Sequence, residues 1–283
     1  DLRMSRGLGD VYKRQDMLKD VTLGQFFPGQ TPIHKLDPRT KLVLVIVYIV
    51  ALFLAKWFVS YAAIAAFLAL VIAMSQIRLK VVLKNLKPLL FIIILTALLN
   101  LFYGQGEPIA QFWIFKITKS GIQNAVFMVL RISLLVAGTF MLTYTTSPIA
   151  LTDGLESLLS PLKKLHAPVH ELSMMMSIAL RFIPTLIEET DKIMSAQKAR
   201  GADFESGNLL NRAKALVPIL VPLFISAFRR ADELATAMEC RCYHGGEGRT
   251  KLHVLKYQRR DYVALAGGVV ILALVVVLRR LGA

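Results

Sequence analysis

The sequence predicts an all-α integral membrane protein: about five transmembrane helices, with long charged cytoplasmic helices bearing two small-Arg-small triplets between the fourth and the fifth. Three observations carry this. The 283 residues are 55% hydrophobic at a mean hydropathy of +0.55, too apolar for an ordinary soluble domain. From Leu42 to Met74 the only charged side chain is Lys56, and a membrane span needs roughly 20 such residues. Yet 19% of all residues are charged, and about 110 residues after Pro148 are helical in pattern but too polar to lie wholly in lipid.

The formal net charge is +15. On a membrane protein this excess marks cytoplasmic loops beside anionic lipid. Nucleic acid is the other partner of a basic chain, and no basic-aromatic groove pattern supports it. The two cysteines, Cys240 and Cys242, are spaced C-x-C and build no disulfide framework. A reducing, cytosolic setting suits that segment. Residues 1–16 are polar and lack the apolar centre of a signal peptide. They read as a non-native or disordered leader, with natural synthesis starting at Met17.

Taken in order, "HKLDPRTK" (34–41) is a basic, proline-containing opening segment. Two spans follow, about 39–56 and 57–76, joined by an interfacial turn at Lys56-Trp57. "QIRLKVVLKNLK" (76–87) holds four basic residues and no acidic one. It reads as a cytoplasmic loop or as an amphipathic piece on the membrane surface. Pro88 to Tyr103 is the third span. The Gly- and Pro-punctuated stretch 103–121 is an external loop, and Ile122 to Thr145 is the fourth span. "LTDGLESLLSPLKKL" (151–165) is a short amphipathic piece with Thr152 and Asp153 as caps.

Two long segments follow. The first, 168–201, carries Leu172, Met176, Ile183, Ile187 and Met194 as one stripe at helical spacing, and Gly201 supplies a stop. The second, 206–243, repeats the plan, with an apolar first half, a polar second half and a stop at Gly245-Gly246. Pro184, Pro218 and Pro222 bend these helices. Val263 to Leu278 is the last span. The chain therefore divides into the leader (1–16), an N-terminal transmembrane region (17–148), a cytoplasmic region of long charged helices (149–258) and a C-terminal transmembrane helix (259–283). With 34–41 and 76–87 inside, four spans return the chain to the cytoplasm near residue 146, and the last carries the C-terminus out.

No nucleophile-base pair, paired carboxylates or phosphate-binding loop is present in the sequence, so there are no catalytic residues to name and no cofactor is expected. His166 and His170 are four apart, but Pro168 between them spoils the helical turn a metal pair needs. Cys240, Cys242 and His244 offer three soft ligands without a second cluster, so small helix-packing cysteines are the preferred reading and no metal is assigned. Arg131, alone in the fourth span, either lines a substrate path or has a structural place, near the interface or bonding a backbone carbonyl between helices. The absence of an intramembrane carboxylate favours the structural role.

Two triplets are different because they recur. Ala199-Arg200-Gly201 closes the first long helix. Cys240-Arg241-Cys242 closes the second, forty-one positions on (241 − 200). A solvated helix-end arginine is the bland reading. Small neighbours on both sides twice over suggest instead a guanidinium that must enter a tight groove and meet a carboxylate there. Cys242 takes φ > 0 less readily than glycine, so the second stop is expected to shift to Gly245.

With these pieces the chain resembles the transmembrane T components of energy-coupling factor transporters, the vitamin- and metal-uptake branch of the ABC importers. The resemblance rests on "LGQFFPGQTPIHKLDPRTK", "LRISLLVAGTFMLTYTTSP", "HELSMMMSIALRFIPTLIEETDKIMSAQKARG" and "RRADELATAMECRCY". It implies a multi-pass bacterial plasma-membrane subunit that is itself non-catalytic. Two ABC ATPase subunits would receive Arg200 and Arg241, and a substrate-binding S component would ride on the bent helices. Met174 to Met176 suit a surface that accepts different partners, or core packing. Two other classes compete. A membrane enzyme needs polar groups converging at one depth, and none are seen. A self-contained channel or secondary transporter needs ionisable groups inside its spans, for which Arg131 alone stands.

Overall fold

A computed structural model describes residues 26–102, 108–112, 115–165, 168–202, 204, 209–245 and 254–281. The leader, the proposed start at Met17, His166 and Gly246 lie outside these residues. The elements are α1 (Pro38–Leu54), α2 (Phe58–Ser75), α3 (Leu79–Leu86), α4 (Leu90–Phe102), a hairpin of β1 (Pro108–Phe112) and β2 (Phe115–Thr118), then α5 (Lys119–Thr145), α6 (Pro148–Leu159), α7 (Val169–Ala199), α8 (Leu209–Cys240) and α9 (Arg259–Leu281). The architecture is all-α apart from the short antiparallel hairpin inside the stretch expected to be a loop.

The chain divides into two compact units. One holds residues 1–158 and 255–283, the other 159–254. In the first, α2, the run Leu79–Leu101, α5 and α9 are long and apolar enough to cross a membrane. α1, with 17 residues, stands at the lower end of spanning length, about 26 Å at 1.5 Å per residue. The basic stretch after Gln76 is helical as α3. Its Val82 is buried while Arg78, Lys80, Lys84 and Lys87 stay exposed, the pattern of an amphipathic piece.

Close helix approach builds this unit. A Cβ on Gly138 of α5 would meet the Tyr48 ring at 2.3 Å, and one on Gly268 of α9 would meet Leu44 at 2.5 Å. Small residues let backbones near each other where lipid supplies no hydrophobic drive between helices. Tyr48 Oη then donates to the carbonyl of Leu134 at 2.7 Å. Tyr48, Ala51, Leu52, Tyr61, Ile64 and Val275 form one core, and Leu68, Ile72, Val82, Ala137, Met141 and Tyr144 a second.

The opening segment does more than supply charge. Asp37 caps α1, accepting from the Arg39 N–H at 2.9 Å, with Pro38 at the first helical position. The same carboxylate meets the Arg39 guanidinium through Nε at 3.0 Å and Nη2 at 2.8 Å. Burial pushes the Asp37 carboxyl up, but the Arg39 hydrogen bonds and charge prevail and hold it below the usual carboxylate value. Arg39 also lies 4.0 Å over the Tyr257 ring and donates to Ser157 Oγ at 3.3 Å.

Asp261, 1% exposed, completes the knot. It accepts from the Gln258 N–H at 2.7 Å, closing its own helix in the manner of a capping box, and from the Asp37 N–H at 2.8 Å. Lys41 Nζ donates to the carbonyls of His34 at 3.1 Å and Thr145 at 2.8 Å, so it closes the C-terminal end of α5. Two carboxylates and two cations thus tie together the starts of α1 and α9 and the end of α5.

The cap of α6 differs from the expectation. Thr152 and Asp153 lie inside the helix, which begins at Pro148. Ser147 is the cap, its Oγ accepting from the Ala150 N–H at 3.3 Å. Serine before proline is the stronger start signal, because the proline ring pre-sets the first helical φ.

Candidate coupling site at two helix ends

The second unit is built on α7 and α8, which carry 31 and 32 residues. Both continue through their prolines: Pro184 lies inside α7, and Pro218 and Pro222 inside α8. A proline leaves the carbonyl four residues earlier without its helical donor. For Pro222 that carbonyl belongs to Pro218, and Gln197 of α7 donates to it through Nε2 at 3.3 Å. Glu189 of α7 and Arg230 of α8 form an ion pair at 2.5 Å. The proline-interrupted turn of one helix is therefore bonded to the last turn of the other.

Gln197 also takes part in ending its own helix. α7 stops at Ala199, and Arg200 is its C-cap. Gly201 follows at φ +88°. The Gly201 N–H donates to Lys198 O at 3.0 Å, and the Ala202 N–H to Gln197 O at 3.0 Å. This is a Schellman end, in which a left-handed residue turns the chain back so that two orphan carbonyls find donors.

α8 ends the same way. It stops at Cys240, and Arg241 occupies the cap position. The Cys242 N–H donates to Glu239 O at 2.8 Å, and the Tyr243 N–H to Met238 O at 3.0 Å. Each donor and acceptor is displaced by the same forty-one positions from its counterpart (242 − 201, 239 − 198). The left-handed residue here is Cys242, at φ +55°. The stop does not move to Gly245, whose own φ of +100° belongs to a later turn. Two recovered hydrogen bonds outweigh the roughly 1–2 kcal/mol that a side chain costs in this conformation.

All six triplet residues are exposed. Among the described residues neither Arg200 nor Arg241 has a side-chain hydrogen bond or an ion pair. Each guanidinium stands beside the negative end of its helix dipole, which favours the charge without fixing the fork. Cys240 and Cys242 are free thiols, and His244 Nδ1 donates to the Cys242 carbonyl at 2.8 Å. No three metal-ligating side chains converge among the described residues.

The structure puts Arg131 in the first unit. Its Nε donates to Tyr61 Oη at 3.0 Å and its Nη2 to Ala55 O at 3.3 Å, so it bonds the interhelical backbone carbonyl of its structural reading. Met175 and Met176 are exposed, while Met174 is half-buried. Sequence reading missed Gln197, Asp37 and Asp261. A carboxylate three residues after the Gln258 cap was a readable signal for Asp261. Its bond to Asp37, 224 residues away, leaves no trace in a single sequence.

Comparison with known proteins adds the family. Residues 29–252 match the profile of the CbiQ family, described as cobalt transport protein. A Ruminiclostridium cellulolyticum protein is 50% identical over 262 residues, covering 93% of this chain and 98% of its own. One from Clostridium kluyveri is 54% identical over 250 residues, 88% of this chain and 93% of its own. One from Bacillus subtilis is 47% identical over 264 residues, 93% of this chain and all of its own. All three are named energy-coupling factor transporter transmembrane protein EcfT. The chain, a multi-pass protein of the cell membrane, belongs to the CbiQ family and within it to the EcfT transmembrane components of energy-coupling factor transporters.

Proposed function

We propose that the chain couples two ABC ATPase subunits to a substrate-binding S component in micronutrient, specifically vitamin, uptake. Arg200 and Arg241 each enter a groove on one ATPase. The chain itself catalyses nothing, since hydrolysis belongs to the ATPases and substrate choice to the S component. Residues 149–258 act as the cytoplasmic coupling region. Pro184, Pro218 and Pro222 give the helices the bends on which the S component rests.

The observation that carries this reading is the pair of matching C-caps, each presenting an exposed arginine with no partner among the described residues. A cation needed only for its own helix end has no reason to recur between small residues on the same backbone turn. A guanidinium destined for a carboxylate groove has one, because bulky neighbours would hold the backbone away. The apolar stripe Leu216, Leu220, Phe224 and Phe228 on α8, exposed by 46–71%, supports a second, apolar partner surface on the same helix.

Charge reversal tests it. Arg200→Glu and Arg241→Glu, singly and together, are followed by ATPase co-purification and substrate uptake. Reversing a buried, hydrogen-bonded charge at an interface costs roughly 2–5 kcal/mol, so each single variant is expected to weaken assembly by at least tenfold. The double variant should abolish it. Lysine at either position should rescue only part, since it keeps the charge and loses the fork. Normal uptake and retention of both ATPases by the double variant would defeat the proposal. The S component that co-purifies identifies the substrate.

A further inference from the structure

The membrane unit holds a cavity that coupling does not use. It measures about 340 Å³ and is lined by Ala55, Lys56, Asn100, Asn124, Phe127 and Arg131 among others. Two cations and two carboxamides line it, and among the described residues no carboxylate does. We propose that this cavity binds a phosphate-class oxyanion, presented by the headgroup of an anionic phospholipid.

Three features lead there. Arg131 is already positioned: Tyr61 Oη and Ala55 O hold its Nε and Nη2, and its Nη1 has no hydrogen bond among the described residues. A guanidinium at membrane depth is costly unless paired, and a phosphate oxygen takes the free nitrogen as a charge-assisted acceptor. Lys56 adds a second charge from the α1–α2 turn, and the two asparagines supply neutral donors. Asn100 commits one of its two amide hydrogens to Thr96 O at 2.8 Å, leaving the other.

The surroundings select a lipid as the source. Trp57, beside Lys56, is 45% exposed, as suits an aromatic at headgroup level. Phe58 packs 4.6 Å from Phe127 of the cavity wall, and the Arg131 guanidinium lies 5.8 Å from the Phe53 ring. Both Phe53 and Phe58 are more than half exposed. Acyl chains running over these rings would lead to the cavity mouth. A choline or ethanolamine headgroup would bring its own cation towards Lys56 and Arg131 with no carboxylate among the described residues to receive it, so a headgroup without a cation is preferred.

The full chain, purified in detergent with whatever subunits accompany it and stripped of lipid, is titrated with phosphatidylglycerol and with phosphatidylcholine. Binding is read by native mass spectrometry. The wild type should bind phosphatidylglycerol at least about tenfold more tightly than phosphatidylcholine, and Lys56→Gln and Arg131→Met should each lose roughly tenfold. Lys56 is exposed and has no internal bond among the described residues, so Lys56→Gln keeps the test valid if Arg131→Met fails to fold. Equal binding of the two lipids, or unchanged phosphatidylglycerol binding in Lys56→Gln, overturns the site. Displacement of phosphatidylglycerol by an equal concentration of inorganic phosphate overturns the lipid as source.

Discussion

Arg39 and the pair Arg200/Arg241 are the same side chain in opposite circumstances. Arg39, in the first unit, has its fork on Asp37, its face on Tyr257 and its remaining nitrogen on Ser157. Arg200 and Arg241, in the second, cap their helices and reach water with no partner among the described residues. One arginine is consumed by the fold, and the other two are available to something else. The formal charge of +15 counts them alike, so only geometry separates a structural cation from a recognition cation.

The contrast breaks most severely at the knot around Arg39. Asp261→Ala removes the acceptor that both the Asp37 and the Gln258 N–H groups use, and leaves Lys41 and Arg39 with one carboxylate between them. Uncompensating a buried charge network costs about 3–5 kcal/mol. Thermal unfolding in detergent should fall sharply even with no ATPase present, and a melting temperature within error of wild type would mean that the knot Asp261 completes does not hold the first unit together.

A smaller effect sharpens the likeness of the two helix ends. Gly201→Ala puts a side chain at φ +88°, and Cys242→Gly removes one from φ +55°. The first should destabilise the second unit by about 1 kcal/mol and the other should stabilise it by a similar amount. Amide hydrogen exchange at Ala202 and Tyr243 reads the two ends separately. Shifts of the same sign would mean that the ends do not share one turn.

The smallest effect is a pH response in the segment leading to the knot. Burial, then the Lys41 charge, depress the His34 pKa below its usual 6.5, against the carbonyl of Phe27, which raises it. In the neutral ring Nε2–H donates to Phe27 O at 3.0 Å, while Nδ1 accepts from the Thr31 hydroxyl at 2.6 Å. A depressed folded-state pKa stabilises the fold above 6.5, and that contribution is lost as pH falls below 6.5 through the folded value. His34→Gln should therefore flatten the fall in melting temperature between about pH 7.5 and 5.5. An unchanged slope would exclude His34 as its source.

Much of this could be read from residues alone, for identifiable reasons. The helix stop at Gly201 follows from local chemistry, and the uncharged runs follow from lipid. What the sequence hid was long-range or relative. Cys242 looked like a poor left-handed residue because the cost of its Cβ is local, while the two hydrogen bonds that offset it are made by the folded turn. Thr152 resembled a cap until Ser147-Pro148 claimed that role. Gln197 looked like one more polar residue on a charged helix. Only the approach of α7 to α8 reveals that it meets the carbonyl that Pro222 leaves without a donor.

The central claim is that Arg200 and Arg241 serve a partner and not the fold. It is tested most directly by the melting temperature of the Arg200→Glu/Arg241→Glu chain, taken alone and again with saturating ATPase subunits. A partner that binds only the folded state raises the melting point, by about 2.7 kcal/mol of stabilisation at one hundred times its dissociation constant. The account predicts that the double variant, alone, loses no more than the roughly 0.3–1 kcal/mol that each helix-end charge contributes through the dipole, and that it loses the rise that the ATPases produce. A larger fall in isolation, or an undiminished rise with the ATPases, would contradict it.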